Sequence, residues 1–275
     1  MIVRELPLVS MIVTTYNYGR FVTDAVDSAL SQTYENIEVI VVDDGSSDDT
    51  NEVVTKYGDL VDYYFKVNGG ISSARNYGAK RAKGDYIVFL DSDDKLDQTF
   101  VEKTYELLLE ESADVGYVYT QLRCFDASDE VTEFRGYSAH HLKNSNYIPS
   151  GCLVKSELAR RFHYDEELAV LEDWDFYLTL AENGFIGVLL NEPLYFYRKH
   201  FDKGSTLDRT SQRRYLRVRH LIMVKHRTFY GIRSTTWHWS LYLAHEAIFT
   251  CQQGLTKVWA SLRSSTQSSA AQTKR

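Results

Sequence analysis

Apolar and polar positions follow two rhythms along the first hundred residues. Two β-branched runs, Leu8–Thr14 and Ile37–Val42, are apolar at nearly every position, as strands covered on both faces are. Between them Phe21, Val22, Ala25, Val26, Ala29 and Leu30 recur at helical spacing. Asp48 to Tyr57 predicts a second helix, with acids in its first turn and Gly58 past its end. Val61–Val67 reads as a third strand, Ile71–Lys83 as a helix stopped by Gly84, and Asp85–Leu90 as a fourth strand. Strands alternating with helices predict an α/β fold with a doubly wound, mainly parallel sheet.

Beyond Asp94 the rhythm changes. Thr99–Ser112, Lys155–Arg161 and Asp173–Asn183 have helical patterns, and Val115–Leu122, Phe185–Leu190 and Leu194–Arg198 have strand patterns. Cys124–Tyr147 is irregular and polar, which suits a loop-rich region that receives a substrate. From Leu207 to Arg263 the pattern is helical and basic, and Ser264–Arg275 is rich in Ser, Gln and Ala. The expected organisation is a main domain over 1–205, a basic helical C-terminal extension over 206–263 and a frayed tail over 264–275. There is no internal repeat.

Composition narrows the class. With 44% apolar and 25% charged residues, the 275-residue chain is an ordinary globular protein, not a disordered or fibrous one. No apolar run reaches the length of a membrane span, and Glu5 and Pro7 interrupt any signal-peptide core. Cys124, Cys152 and Cys251 are odd in number and widely spaced, which predicts neither a zinc site nor a disulfide framework and fits a reducing, cytoplasmic setting. Charge is uneven. Fifteen of the 31 Lys and Arg but only three of the 38 Asp and Glu lie from Arg198 onward, so the preceding part carries about −19 and the remainder about +12. An acidic main body argues against nucleic acid as its partner. The basic stretch, with Arg213, Arg214, Arg217 and Arg219 beside Leu216, Val218, Leu221 and Ile222 and with Trp237 and Trp239 further on, suits either peripheral contact with an anionic membrane or packing on the acidic domain.

In an open parallel sheet, ligands bind beyond the carboxyl ends of the strands. Four polar clusters fall there: Thr14–Asn17, Asp43–Ser46, Asn68–Arg75 and Asp91–Asp94. Their convergence on one crevice is the main signal. If the fourth strand continues, Asp91 and Asp93 point to one side of it, and two like charges there call for a cation. A sparse oxygen set suits Mg²⁺ or Mn²⁺ completed by substrate phosphates. Asp43 and Asp44 read equally as turn residues or as acceptors for a base N–H or ribose hydroxyl. Asn68-Gly-Gly leads into a helix N-terminus, which favours anions, and Arg75 lies about one turn inside, facing phosphates or pairing with a carboxylate. Asp173 opens an apolar helix pattern and reads as a first-turn acid or as a catalytic carboxylate.

These segments resemble the family 2 inverting glycosyltransferases of the GT-A fold. The likeness is carried by Val9-Ser-Met-Ile-Val-Thr-Thr-Tyr-Asn17, Ala29-Leu-Ser-Gln-Thr-Tyr34, Val41-Val-Asp-Asp-Gly-Ser-Ser-Asp48, Asn68 to Gly78, Gly84 to Asp94, Leu171-Glu-Asp-Trp-Asp175 and Tyr197-Arg-Lys-His200, and it covers roughly residues 7 to 205. One small departure is Thr14-Thr15, where Pro is frequent before the second Thr. The resemblance implies a nucleotide-sugar donor, UDP favoured, held by Thr14, Tyr16, Asp43, Asp44, Arg75 and Asp91. It implies a metal at Asp93 and His200, supported by Asp94, and Asp173 as general base with Glu172 as its rival. Trp174 is placed beside the acceptor or, more simply, in the core. The acceptor implied is a glycan or a lipid-linked glycan at the inner face of the membrane, in cell-surface polysaccharide synthesis.

Two other readings stay open at this level. A sugar nucleotidyltransferase shares the sheet and the acidic cluster, but Thr15–Arg20 lacks its Gly-rich triphosphate loop. A glycan-binding scaffold on a degenerate transferase fold needs none of the acids that are present. A nicotinamide oxidoreductase lacks Gly-x-Gly-x-x-Gly after the first strand.

Overall fold

The computed structural model describes residues 6–201 and 210–231. The chain divides into two units, residues 1–209 and 210–275. In the first, four parallel strands form one half of the sheet: β1 (Val9–Thr15), β2 (Ile37–Asp43), β3 (Asp62–Phe65) and β4 (Tyr86–Asp91). Helices α1 (Gly19–Leu30), α2 (Thr50–Val54, continued by a 3-10 turn over Thr55–Leu60) and α3 (Ile71–Ala79) connect them. The other half is mixed. β5 (Lys95–Leu96) precedes α4 (Phe100–Glu110), then come β6 (Val115–Asp126), β7 (Val131–Thr132), α5 (Ala139–Asn144), β8 (Leu153–Lys155), α6 (Ser156–Arg161), α7 (Glu172–Glu182) and β9 (Ile186–Lys199). The order across the sheet is β3-β2-β1-β4-β8-β6-β9-β5, with β7 on β6.

β8 runs antiparallel to both β4 and β6, and β9 returns parallel to β6. The α/β class and the mainly parallel sheet are as the pattern predicts. β1 and most of β2 are buried because helices cover both sheet faces. The register aligns Thr14 with Asp91 and Thr15 with Asp43, so three strands end at one level. The sheet thereby delivers one polar side chain per strand to a single rim.

Three expectations change. Phe185–Leu190 and Leu194–Arg198 belong to one strand, β9, which runs through Asn191-Glu-Pro193; irregular register between Thr120 and Leu122 of β6 absorbs the break. Cys124–Tyr147 is not all loop: β6 reaches Asp126, and Ser138 caps α5 by accepting from the His141 N–H. β4 ends at Asp91, and Asp91–Asp94 is a turn closed by the Asp94 N–H on the Asp91 carbonyl, so strand alternation does not set the Asp91–Asp93 geometry.

In the second unit, α8 (Gln212–Lys225) is capped by Ser211, which accepts from the Arg214 N–H, and α9 (Arg227–Tyr230) follows. Val218, His220, Ile222 and Met223 are its buried residues in α8. The helical expectation over 206–263 is described only across 210–231, and the 264–275 tail and Cys251 lie outside the described residues. Among the described residues, no helix is long and apolar enough to cross a membrane.

Candidate active site

The four polar clusters line one cavity of about 610 Å³. At the β1 end, Thr14 and Tyr16 face it. Tyr16 is half exposed, whereas Thr14 is buried with its hydroxyl unpartnered. A buried hydroxyl without a partner costs free energy unless a ligand supplies one.

Asp44 is buried at the cavity wall and its carboxylate accepts from three donors. Lys66 Nζ donates to it at 2.5 Å, the Gly70 N–H at 2.7 Å and the Gly69 N–H at 3.0 Å. Gly70 sits at φ +89, a conformation glycine adopts without strain, and this aims successive N–H groups at the acid ahead of α3. Asp43 does not line the cavity. Its oxygens accept from the Ser46 N–H at 2.7 Å and Tyr63 Oη at 2.7 Å, so it shapes the loop that presents Asp44.

Arg75 is buried and bridges two acids. Its Nη2 lies 2.8 Å from Asp91 and its Nη1 2.9 Å from Glu172. Burial works against its charge, but Asp91 and Glu172 outweigh that and hold the guanidinium well above its ordinary pKa. The carboxylate-pairing alternative is therefore the one realised.

Asp93 and His200 meet directly, with His200 Nε2 2.9 Å from Asp93 Oδ2. Two adjacent ligands of an octahedral ion with bonds of about 2.1 Å stand about 3 Å apart, so the spacing fits one divalent ion shared by this pair. No group of three or more His, Cys, Asp or Glu able to hold a metal occurs among the described residues, so oxygens from a donor diphosphate would have to complete the shell. The surroundings brace the pair. Phe21 and Tyr18 pack on the His200 ring with centroids 5.3 and 6.1 Å away, and Arg198 Nε donates to the Asp93 carbonyl at 2.7 Å. The Arg198 guanidinium is sandwiched between Phe21 and Phe125 and paired with Asp24 and Asp126. Asp94 is buried, and both its oxygens are used: Tyr195 Oη donates to one at 2.5 Å and the Arg198 N–H to the other at 2.8 Å. Burial and the neighbouring Asp93 raise its pKa well above the carboxylate range. Asp94 thus ties the end of β9 to the turn that carries Asp93.

Across the cavity α7 opens with Glu172 and Asp173, just after Leu171 in the left-handed region at φ 62. Such a conformation costs a bulky residue about 1–3 kcal/mol, and it stands where the first turn of α7 meets the cavity. Glu172 is tied to Arg75. Its burial, and then repulsion from Asp173, lift its pKa to about 7 against the pull of Arg75. Asp173 accepts from Asn146 Nδ2 at 3.0 and 3.1 Å and from the Trp174 N–H at 2.8 Å. Burial raises its pKa as well, opposed first by the Asn146 bond. Trp174 does not line the cavity; it is a core residue whose Nε1 donates to the Leu142 carbonyl at 2.6 Å, which removes it from the acceptor site.

Sequence reasoning missed Asn146, Lys66, Tyr195 and Arg198. Lys66 stands just before Asn68-Gly-Gly and Arg198 inside Tyr-Arg-Lys-His, so both carried a positional signal. Asn146 and Tyr195 carried none.

The Glycosyl transferase family 2 model matches residues 10–166, more than half of the chain. The chain belongs to this family. An uncharacterized glycosyltransferase of Rickettsia typhi is 37% identical over 182 residues, covering 62% of this chain and 57% of the relative. The glycosyltransferase GlyG of Streptococcus pneumoniae is 31% identical over 221 residues, covering 70% and 71%. Among solved structures, S. aureus TarS in complex with UDP-GlcNAc superposes with a TM-score of 0.66 at 22% identity, over 78% of this chain and 65% of that one. The mannosyltransferase PcManGT from Pyrobaculum calidifontis, in complex with GDP-Man and Mn²⁺, gives 0.59 at 18% identity, over 81% and 64%. This family 2 chain therefore has the GT-A fold, and it spans little more than half the length of the Rickettsia typhi relative.

Proposed function

We propose that this family 2 protein is a metal-dependent inverting glycosyltransferase. It moves a sugar from a nucleotide-diphosphate donor, UDP favoured, to a hydroxyl of a glycan or lipid-linked acceptor in cell-surface polysaccharide synthesis. The observation that carries this reading is the division of labour in the cavity. The Asp93–His200 pair is distinct from Asp173, an acid held by neutral N–H donors, while Asp44, Asp91 and Glu172 are ion-paired into the frame.

Inversion needs one base. Asp173 takes the acceptor hydroxyl proton as that oxygen bonds the anomeric carbon, and the bond to the diphosphate breaks with its electrons leaving on the diphosphate. Glu172 is a poor candidate for this step, because the Arg75 ion pair already orients it. A divalent ion bound at Asp93 and His200 would supply Lewis-acid neutralisation of the departing diphosphate. The neighbours support the donor class: TarS is seen with UDP and UDP-GlcNAc, and PcManGT with GDP-Man and Mn²⁺. Asp44 and the unpartnered Thr14 hydroxyl suit a nucleobase offering a ring N–H and a carbonyl.

The test is thermal-shift binding of UDP, GDP, dTDP and CDP, each with Mn²⁺ and with chelator, on wild type and Asp93→Ala. Stabilisation by one nucleotide that requires both Mn²⁺ and Asp93 is expected. At a ligand concentration of 100 Kd it amounts to about 2.7 kcal/mol. No stabilisation by any of the four overturns the reading. The basic residues from Arg213 onward extend the proposal to peripheral contact with the inner face of the cytoplasmic membrane, and failure to sediment with anionic vesicles removes that extension.

A further inference from the structure

The segment from Leu142 to Ser150 is strapped to the helix that carries Asp173. The Trp174 indole N–H donates to the Leu142 carbonyl at 2.6 Å and Tyr177 Oη donates to the Pro149 carbonyl at 3.0 Å, both from α7. Leu142 and Ile148 are buried between these ties. From just before α5, the Ser138 N–H donates to Tyr147 Oη in the strap at 3.0 Å, which ties the start of α5 to the residue beside Asn146. Asn146 is thereby held over the first turn of α7 by backbone anchors on both sides. Its Nδ2 reaches both Asp173 oxygens, at 3.0 and 3.1 Å. The far end of the strap reaches the donor side, where Ser150 Oγ lies 3.4 Å from Asp91.

We propose that Asn146 is the positioning residue of the general base, holding the Asp173 carboxylate in orientation and in its charged, proton-accepting form. The inference rests on the assignment of Asp173 as base. An amide N–H shared by both oxygens stabilises the anion and leaves lone pairs on each for an incoming hydroxyl. The other groups around Asp173 are Arg75 from α3, Asp91 from β4, Glu172 on its own helix, and Tyr164 and Cys152. Of these Arg75 alone is cationic, and it is already shared between Asp91 and Glu172. Besides the Trp174 N–H on its own helix, Asn146 is thus the donor that reaches the base, and it is a side chain from another element.

The test needs no substrate. The full chain is labelled at its carboxyl carbons and titrated by NMR, with the Asp173 resonance assigned by its absence from Asp173→Asn. In Asn146→Ala the Asp173 titration should move up by about one pH unit. In Asn146→Asp it should move further, since a second carboxylate repels the first. Both variants alter an exposed side chain, and either alone suffices if the other does not fold. An Asp173 midpoint within about 0.2 unit of wild type in either variant overturns the proposal. The reading beneath it fails separately: if Asp173→Asn retains transfer, Asp173 is not the base, whatever Asn146 does to its titration.

Discussion

Replacing Arg75 by Met should destabilise the main unit strongly, and more so at high pH. Arg75 has 2% of its side chain exposed and lies between Asp91, 30% exposed, and Glu172, 13% exposed. Met fills much of the volume and leaves both acids without their cation. Removing one partner of a buried ion pair costs about 3–5 kcal/mol. Water reaches Asp91, so most of the loss falls on Glu172, and the expected deficit near pH 8 is about 3 kcal/mol. Glu172 can lower that cost by taking a proton. Its pKa is already about 7 beside Arg75, and without Arg75 it rises further. The sign follows. The folded variant binds more protons than its unfolded chain, so its stability is full below the unfolded glutamate pKa and is lost as pH rises through the raised folded value. Wild type itself keeps Glu172 protonated below about pH 7, so the deficit against wild type is constant on the acid side and grows as pH rises above about 7, toward the variant's higher value. Urea unfolding reads it directly: with a slope of about 2–3 kcal/mol/M, the midpoint near pH 8 should fall by about 1–1.5 M with the slope unchanged. Adding Glu172→Gln should recover part of the loss at high pH only. A deficit under about 1 kcal/mol at both pH values, or one that grows on acidification, would refute the bridge as an electrostatic keystone.

Asp173→Asn should keep nucleotide binding and lower kcat about 10²–10⁴-fold in a transfer assay, and near-normal turnover would remove Asp173 from the base role. Because burial raises the Asp173 pKa, the acid limb of kcat in wild type should lie above the ordinary aspartate range of about pH 4, activity falling as the base protonates. A limb at or below that value would contradict it. Gly151→Ala would drive a methyl into the Tyr195 ring, which is buried and holds Asp94. The expected cost is about 1–3 kcal/mol in urea unfolding, together with weaker Mn²⁺-dependent nucleotide binding; an unchanged midpoint and affinity would mean that Tyr195 has room to move.

The parallel half of the sheet was legible because β1, β2 and β4 are nearly continuous apolar runs, interrupted inside only by Ser10 and Glu38 and punctuated by Asp, Asn and Gly, and burial on both faces leaves that trace. The acids at the strand ends were legible for the same reason, since register carries Thr14, Asp43 and Asp91 to one rim. What no local pattern separates is which of several acids faces the cavity and which is tied up in an ion pair. Asp43 and Asp44 are neighbours in sequence, yet Tyr63 occupies the first and the second faces the cavity. Glu172 and Asp173 differ only in which meets Arg75. These outcomes depend on residues 20 to 97 positions away. β9 was read as two strands because Asn191-Glu-Pro193 interrupts the apolar pattern, while the pairing that carries it through lies in β6.

That pairing has a consequence for the order in which the molecule comes together. Tyr195, the Arg198 N–H and His200 reach Asp94 or Asp93 across 101, 104 and 107 residues of chain, all from β9 or its end. Closing a loop of that length costs roughly 4 kcal/mol before any contact repays it. β1 to β4 can pair over shorter spans, but the Asp93–His200 contact waits until β9 lies along β6. On the proposed metal role, loading would be a late event that reports a finished unit, because the parallel strands can pair well before β9 brings His200 to Asp93.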